Sequence, residues 1–165
     1  MNAQPLCLAL LLAFSSCGGS DPTELTDRGY AALRSGDYSA AAKLLDEALV
    51  ALGTDPAQPS WMRAKMGAIE ARTHTEPARA KDEFLQLAAA NPSRVTDKDF
   101  SLIGGLLGES GKLDEAITVL TAGMEAHAES PSLKGLMGKL GDMAKSSGSA
   151  GALDALKGLG YAGGD

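Results

Sequence analysis

Apolar side chains recur along this chain at the spacing of a helix surface. Between Gly36 and Leu52 the string GDYSAAAKLLDEALVAL sets Ala41, Leu44, Leu45, Ala48, Leu49 and Leu52 at i, i+3, i+4, i+7, i+8 and i+11, which is one face of an α-helix. The string returns in edited form at residues 111–124, GKLDEAITVLTAGM, where Ala116, Ile117, Leu120 and Met124 repeat the face. In both copies a Gly closes one helix, a short polar turn follows, and an apolar ladder opens the next. A unit copied in this way predicts stacked helical hairpins, because one hairpin alone cannot bury its apolar side.

Taken in order, the pattern predicts a first helix over 22–35, opened by Asp21, Pro22 and Glu24, and a second over 37–52. The stretch GTDPAQP at 53–59 interrupts the pattern. A third helix is expected from the cap Ser60 and carries Trp61, Ala64, Gly67, Ala68 and Ala71. The fourth follows Thr75-Glu76-Pro77, carries Ala80, Phe84, Leu87 and Ala88, and ends at Asn91-Pro92. From Gly36 to Gly111 is 75 residues. Two periods of about 34 would give about 68, and the loops at 53–59 and 91–96 take up the surplus. A fifth helix opens at Thr96 with Phe100, Ile103, Leu106 and Leu107 interleaved with Gly104, Gly105 and Gly108. Those glycines cost about 1 kcal/mol each against Ala, so close packing is the expected compensation. Ser130-Pro131 starts another amphipathic helix with Leu133, Leu136, Met137, Leu140 and Met143, read as a cap over the last unit. Residues 144–151 (AKSSGSAG) read as a flexible link. The Gly-rich tail over 148–165 has room for one short helix on Leu153, Leu156 and Leu159.

The two copies resemble the tetratricopeptide repeat, a pair of antiparallel helices with small residues where they cross. The match lies in Gly29, Gly36, Tyr38, Ala41, Leu45 and Ala48, and again in Gly104, Gly111, Leu113, Ala116, Leu120 and Gly123. The resemblance implies an all-α fold, a right-handed α-solenoid of about three units plus a C-terminal capping helix over 22–147. It assigns repeat packing to Gly29, Gly36, Ala41, Ala48, Gly104, Gly111 and Ala116. It also implies a concave groove holding another protein or peptide, with groove positions at Tyr30, Arg34, Lys65, Ile69, Arg72 and Lys98, flanked by Thr26, Leu33, Met62, Ser101 and Glu109. The Lys/Asn clamp that some family members use for a partner's terminal carboxylate has no match, since the aligned positions hold no Asn.

The chain's start adds a second layer. Residues 6–14 (LCLALLLAF) form an uncharged apolar run too short for a permanent membrane span, and they read as the core of a secretory signal over 1–16. Ser15, Ser16, Cys17 and Gly18 follow, resembling a bacterial lipoprotein signal. By that resemblance Cys17 carries a lipid, 17–21 is a short tether, and the protein sits at the cell envelope. Gly18 after Cys17, where Asp would mark retention at the inner membrane, resembles an outer-membrane lipoprotein. A plain signal cleaved near Ser16, leaving a periplasmic or secreted protein, is the alternative. The remaining Cys, Cys7, lies inside the signal, so the mature chain has no pair to oxidise.

Composition narrows the function. A content of 44% apolar but 4% aromatic residues means a core of Ala, Leu and Gly, and a net charge of −6 argues against nucleic acid as a partner. His74 and His127 fall in different units without metal spacing, so no metal and no cofactor is expected. There is no phosphate loop and no nucleophile elbow; Asp46, Glu47, Asp114 and Glu115 read as solvated helix faces. The string LKGLGYAGG at 156–164 resembles a short segment that closes the catalytic domain of some bacterial sulfatases, but no sulfatase active-site motif accompanies it. The expectation is a non-catalytic interaction scaffold tethered to a membrane through Cys17. The alternative is a soluble exported helper that binds peptides or a small ligand.

Overall fold

The structure, a computed structural model, describes residues 21–161, which form eight α-helices and no strand. They are α1 (Pro22–Ser35), α2 (Tyr38–Leu52), α3 (Pro59–Thr75), α4 (Pro77–Ala90), α5 (Asp97–Glu109), α6 (Leu113–Ala126), α7 (Pro131–Ser147) and α8 (Ala150–Gly158). The expected signal, the tether residues 17–20 and Cys17 lie outside the described residues, as do residues 162–165.

Local chemistry sets most of the boundaries. The Asp21 carboxylate accepts from the Thr23 N–H at 2.8 Å and opens α1, and Asp37 accepts from the Ala40 N–H at 3.0 Å and opens α2. At α5 the Asp99 carboxylate accepts from both the Thr96 N–H and the Thr96 hydroxyl, each at 2.8 Å. Helix ends recur too. Gly36 has φ 80° and lets the Asp37 N–H reach the Ala32 carbonyl at 3.0 Å; Gly111 has φ 73° with Lys112 N–H on Leu107 at 2.8 Å. Gly148 has φ 68° with Ser149 N–H on Ala144 at 3.1 Å. All three are the left-handed closure in which glycine pays no steric penalty.

That third closure corrects the expected flexible link over 144–151. α7 runs on to Ser147, only Gly148 and Ser149 separate it from α8, and Ala152 and Leu156 of α8 are fully buried. α7 is therefore the first member of a helix pair rather than a lone cap. α3 likewise starts at Pro59 with Gln58 as its cap residue, two positions before the expected cap Ser60, because proline fits the first helical turn.

Each helix packs on the next, and helices two apart also touch: α1 on α3, α3 on α5, α5 on α7, α4 on α6 and α6 on α8. The result is two layers, odd-numbered helices in one and even-numbered in the other. Gly29 of α1 sits where a Cβ would come within 2.5 Å of Leu45 of α2, and Gly104 of α5 meets Leu120 of α6 at the same 2.5 Å. Each member of the second contact lies 75 residues after its counterpart, so the copied string is a copied contact. Ala41, Ala48 and Ala116 are fully buried in the same layers. Buried apolar residues form two clusters, one over α1–α3 and one from α3 to α8, and α3 contributes to both.

Candidate functional site

In the odd layer the side chains that bridge neighbouring helices include polar ones. Tyr30 of α1 lays its ring over Gly67 of α3, where a Cβ would come within 3.0 Å of Cζ, and donates its hydroxyl to the Arg63 carbonyl at 2.9 Å. The Arg63 guanidinium lies over the same ring, 4.8 Å from its centre, and pairs with Asp27 of α1 at 2.9 Å. Further along, the Ser101 and Ser132 hydroxyls join α5 to α7 at 3.0 Å, and Leu136 of α7 lies near Gly105. Leu102, 44% exposed, stands three residues before Gly105 on the same side of α5.

Glu70 completes the α1–α3 group. It follows Gly67 by three residues and Met66 by four, on the same helical face, and is half-buried. Burial pushes its carboxyl above the ordinary glutamate range. Burial also raises the Tyr30 phenol, the Glu70 charge adds to that, and the Arg63 charge partly opposes it. Among the described residues the Glu70 carboxylate has no hydrogen bond and no ion pair.

The groove set expected from the sequence divides. Tyr30 is in this face, and Arg34 and Lys98 are exposed. Lys65, Ile69 and Arg72 are turned the other way. Ile69 is fully buried, Arg72 is 2% exposed, and the Lys65 ammonium donates to Glu83 of α4 at 2.6 Å. Thr26 and Leu33 are buried as well, with the Thr26 hydroxyl donating to the Pro22 carbonyl at 2.7 Å. The cause lies in α3, where Ala64, Gly67, Ala68, Ile69, Ala71, Arg72 and Thr73 are all buried. With small or apolar residues nearly all round, no single stripe announces which side faces in. Arg63 and Glu70 were missed for that reason; the usable signal was Gly67, a small residue opposite an aromatic ring.

Arg72 instead fills the even layer, where α2 and α4 make no direct backbone approach. Its guanidinium donates to Asp46 of α2 and, at 3.1 Å, to Glu83 of α4, which also accepts from Arg79 at 2.7 Å. Burial by itself would raise the Glu83 carboxyl; hydrogen bonds from Lys65 and Arg79 and the charges of Lys65 and Arg72 outweigh it and hold it below the ordinary range. An open cleft of about 560 Å³ lies beside this network, with Ala42 and Val50 on its apolar side. The long loops are tied to each other, since Arg94 donates to the Pro56 carbonyl.

The two histidines are apart and engaged with aromatic rings. His74 stacks on Tyr38 at 3.7 Å between ring centres, and His127 sits edge-on to Phe100 at 5.8 Å. Among the described residues no group of three or more His, Cys, Asp or Glu side chains is arranged to hold a metal ion, and no helix is long and apolar enough to cross a membrane. Comparison of the chain with known protein families, with curated proteins and with solved structures finds no match in any of the three.

Proposed function

We propose that this protein is a non-catalytic interaction scaffold, a tetratricopeptide-type right-handed solenoid tethered to the bacterial cell envelope by a lipid on Cys17. The observation that carries the binding role is the odd-layer face. Three helices there present an aromatic ring, an arginine–aspartate pair, an unpaired carboxylate and an exposed leucine on one surface. In a solenoid the inner surface is the side that grips an extended peptide or a partner helix. The copied Gly-to-Leu contact and the three repeated left-handed closures support the repeat reading. With α7 and α8 as a pair, the stack has four helix pairs where the motif match alone suggested three and a cap. The apolar run before Cys17 and the Gly after it support attachment to the outer membrane.

Two measurements test this. The intact mass of the mature protein from its native host, beside that of Cys17→Ser, should show a diacylglyceryl mass on the first alone. Photocrosslinking from position 63 in intact envelopes should then capture a protein partner, and from position 79 on α4 it should not. An unmodified mature chain would make this a soluble exported helper, and equal crosslinking from both positions would remove the face from the reading.

A further inference from the structure

A second opening in the even layer differs in kind from the cleft beside Arg72. It is a cavity of about 400 Å³ between α4 and α6. Leu85 and Ala88 of α4 line one side and Ala126 of α6 the other, Val95 of the 91–96 loop closes an end, and the Phe100 ring of α5 lies beneath. No Asp, Glu, Lys or Arg lines it, whereas Lys43, Asp46, Glu47 and Glu76 stand around the larger cleft. Its one polar side chain is His127. Phe84, Phe100 and His127 stand edge-on in series, 5.0 and 5.8 Å between ring centres, so both phenylalanines of the described residues gather here in a chain with 4% aromatic residues. Neighbouring backbone donors are engaged: the Val95 N–H on the Asn91 carbonyl at 3.1 Å, the His127 N–H on the Gly123 carbonyl at 2.8 Å. Among the described residues neither His127 ring nitrogen has a hydrogen bond, and neither is sealed from solvent, since Arg72 Nε is the only sealed side-chain nitrogen or oxygen that lacks one. The imidazole is therefore free to bond to whatever enters.

Concave apolar sites with very few placed polar groups are what small ligands occupy. An apolar cavity of about 150 Å³ already admits benzene, so a lone phenol ring would leave more than half of this one empty. Ring edges attract ring faces, and a further ring continues the row from Phe84 to His127. We infer that this cavity binds a free, uncharged aromatic compound of two rings carrying a hydroxyl, its rings against Leu85, Ala88 and Phe100 and its hydroxyl hydrogen-bonded to the His127 imidazole. The site lies in the other layer from Tyr30 and Arg63 and is independent of the role of that face.

The experiment titrates naphthol into the full chain and follows the ligand's fluorescence and the methyl resonances of Leu85, Val95 and Ala126. Expected is saturable binding with a Kd on the order of 10 μM and shifts at those methyls. Naphthalene, which lacks the hydroxyl, should bind wild type about fivefold more weakly, and the two compounds should bind His127→Leu alike. Phenol, a single ring, should bind about tenfold more weakly than naphthol or less. Ala88→Phe and Ala126→Phe fill the cavity from opposite sides, and each should weaken naphthol by about tenfold or more. Ala42→Phe, in the cleft beside Arg72, should bind as wild type does. Wild-type far-UV spectra for the variants separate loss of binding from loss of fold, and the two filling variants are read independently. No saturation, methyl shifts elsewhere, or a loss on Ala42→Phe alone overturns the site. Equal affinity of wild type for naphthalene and naphthol overturns the role of His127, and equal affinity for phenol overturns the two-ring ligand.

Discussion

A Cβ on Gly104 would come within 2.5 Å of the fully buried Leu120 side chain, whereas a Cβ on Gly135 of α7 would meet nothing within 4 Å. The two glycines therefore respond oppositely to the same change. Gly104→Ala should lower stability by about 1–3 kcal/mol through overpacking, and Gly135→Ala should raise it by about 1 kcal/mol through helix propensity; urea melts of the two variants check both signs. Glu70 gives a residue-scale prediction of a different kind. Its carboxyl is raised in the folded chain, so the ionised form opposes folding above the folded-state pKa and the effect disappears once pH falls below the unfolded-state value. Glu70→Gln should thus raise the melting temperature at neutral pH and leave it unchanged well below the carboxylate range.

Among the elements, α3 and α4 depend on a charge network rather than on apolar contact alone. Arg72, 2% exposed, is held by Asp46 and Glu83 and ties α2 to α4 across a gap those helices do not close themselves. Removing Glu83 leaves the buried Arg72 with only the half-exposed Asp46 and Glu76 and takes the partner from Lys65, and Glu83→Leu should destabilise by about 3 kcal/mol. Arg72→Met should be close to neutral, because Glu83 keeps Lys65 and Arg79 while Asp46 is half in water. Equilibrium unfolding of both variants separates the cases. The same network sets an acid limit. Glu83 is depressed in the folded chain, so its contribution is present above the unfolded pKa and lost as pH falls through the folded one. Glu83→Gln should flatten that part of the stability–pH curve.

At the scale of the whole molecule, stability passes from pair to pair, because the helices touch their nearest and next-nearest neighbours. The far end is closed by α8, whose Ala152 and Leu156 are fully buried, and by Tyr161, whose hydroxyl reaches the Met124 sulfur at 3.4 Å. Deleting residues 148–165 should expose the apolar groups of α6 and α7 that α8 covers. The truncated chain is expected to melt at lower temperature and to self-associate with rising concentration, which sedimentation would detect.

The all-helical class, the helix starts at Asp21, Asp37 and Thr96, the left-handed ends at Gly36 and Gly111, and the 75-residue copy were all legible in the chain. Those features depend on local spacing, and a cap or a positive-φ glycine acts within one turn of itself. The rotation of α3 was decided by tertiary packing, since a helix with small residues on most sides packs equally well on paper in several orientations. Contact with Leu45, Tyr30 and Glu83 selects one of them. That choice puts Arg72 inside and Glu70 at the surface, the reverse of the expected accessibility of Arg72. The docking of α8 was likewise decided by the fold. Its few apolar residues and several glycines promise little helix in isolation, and burial against α6 and α7 supplies what the segment lacks.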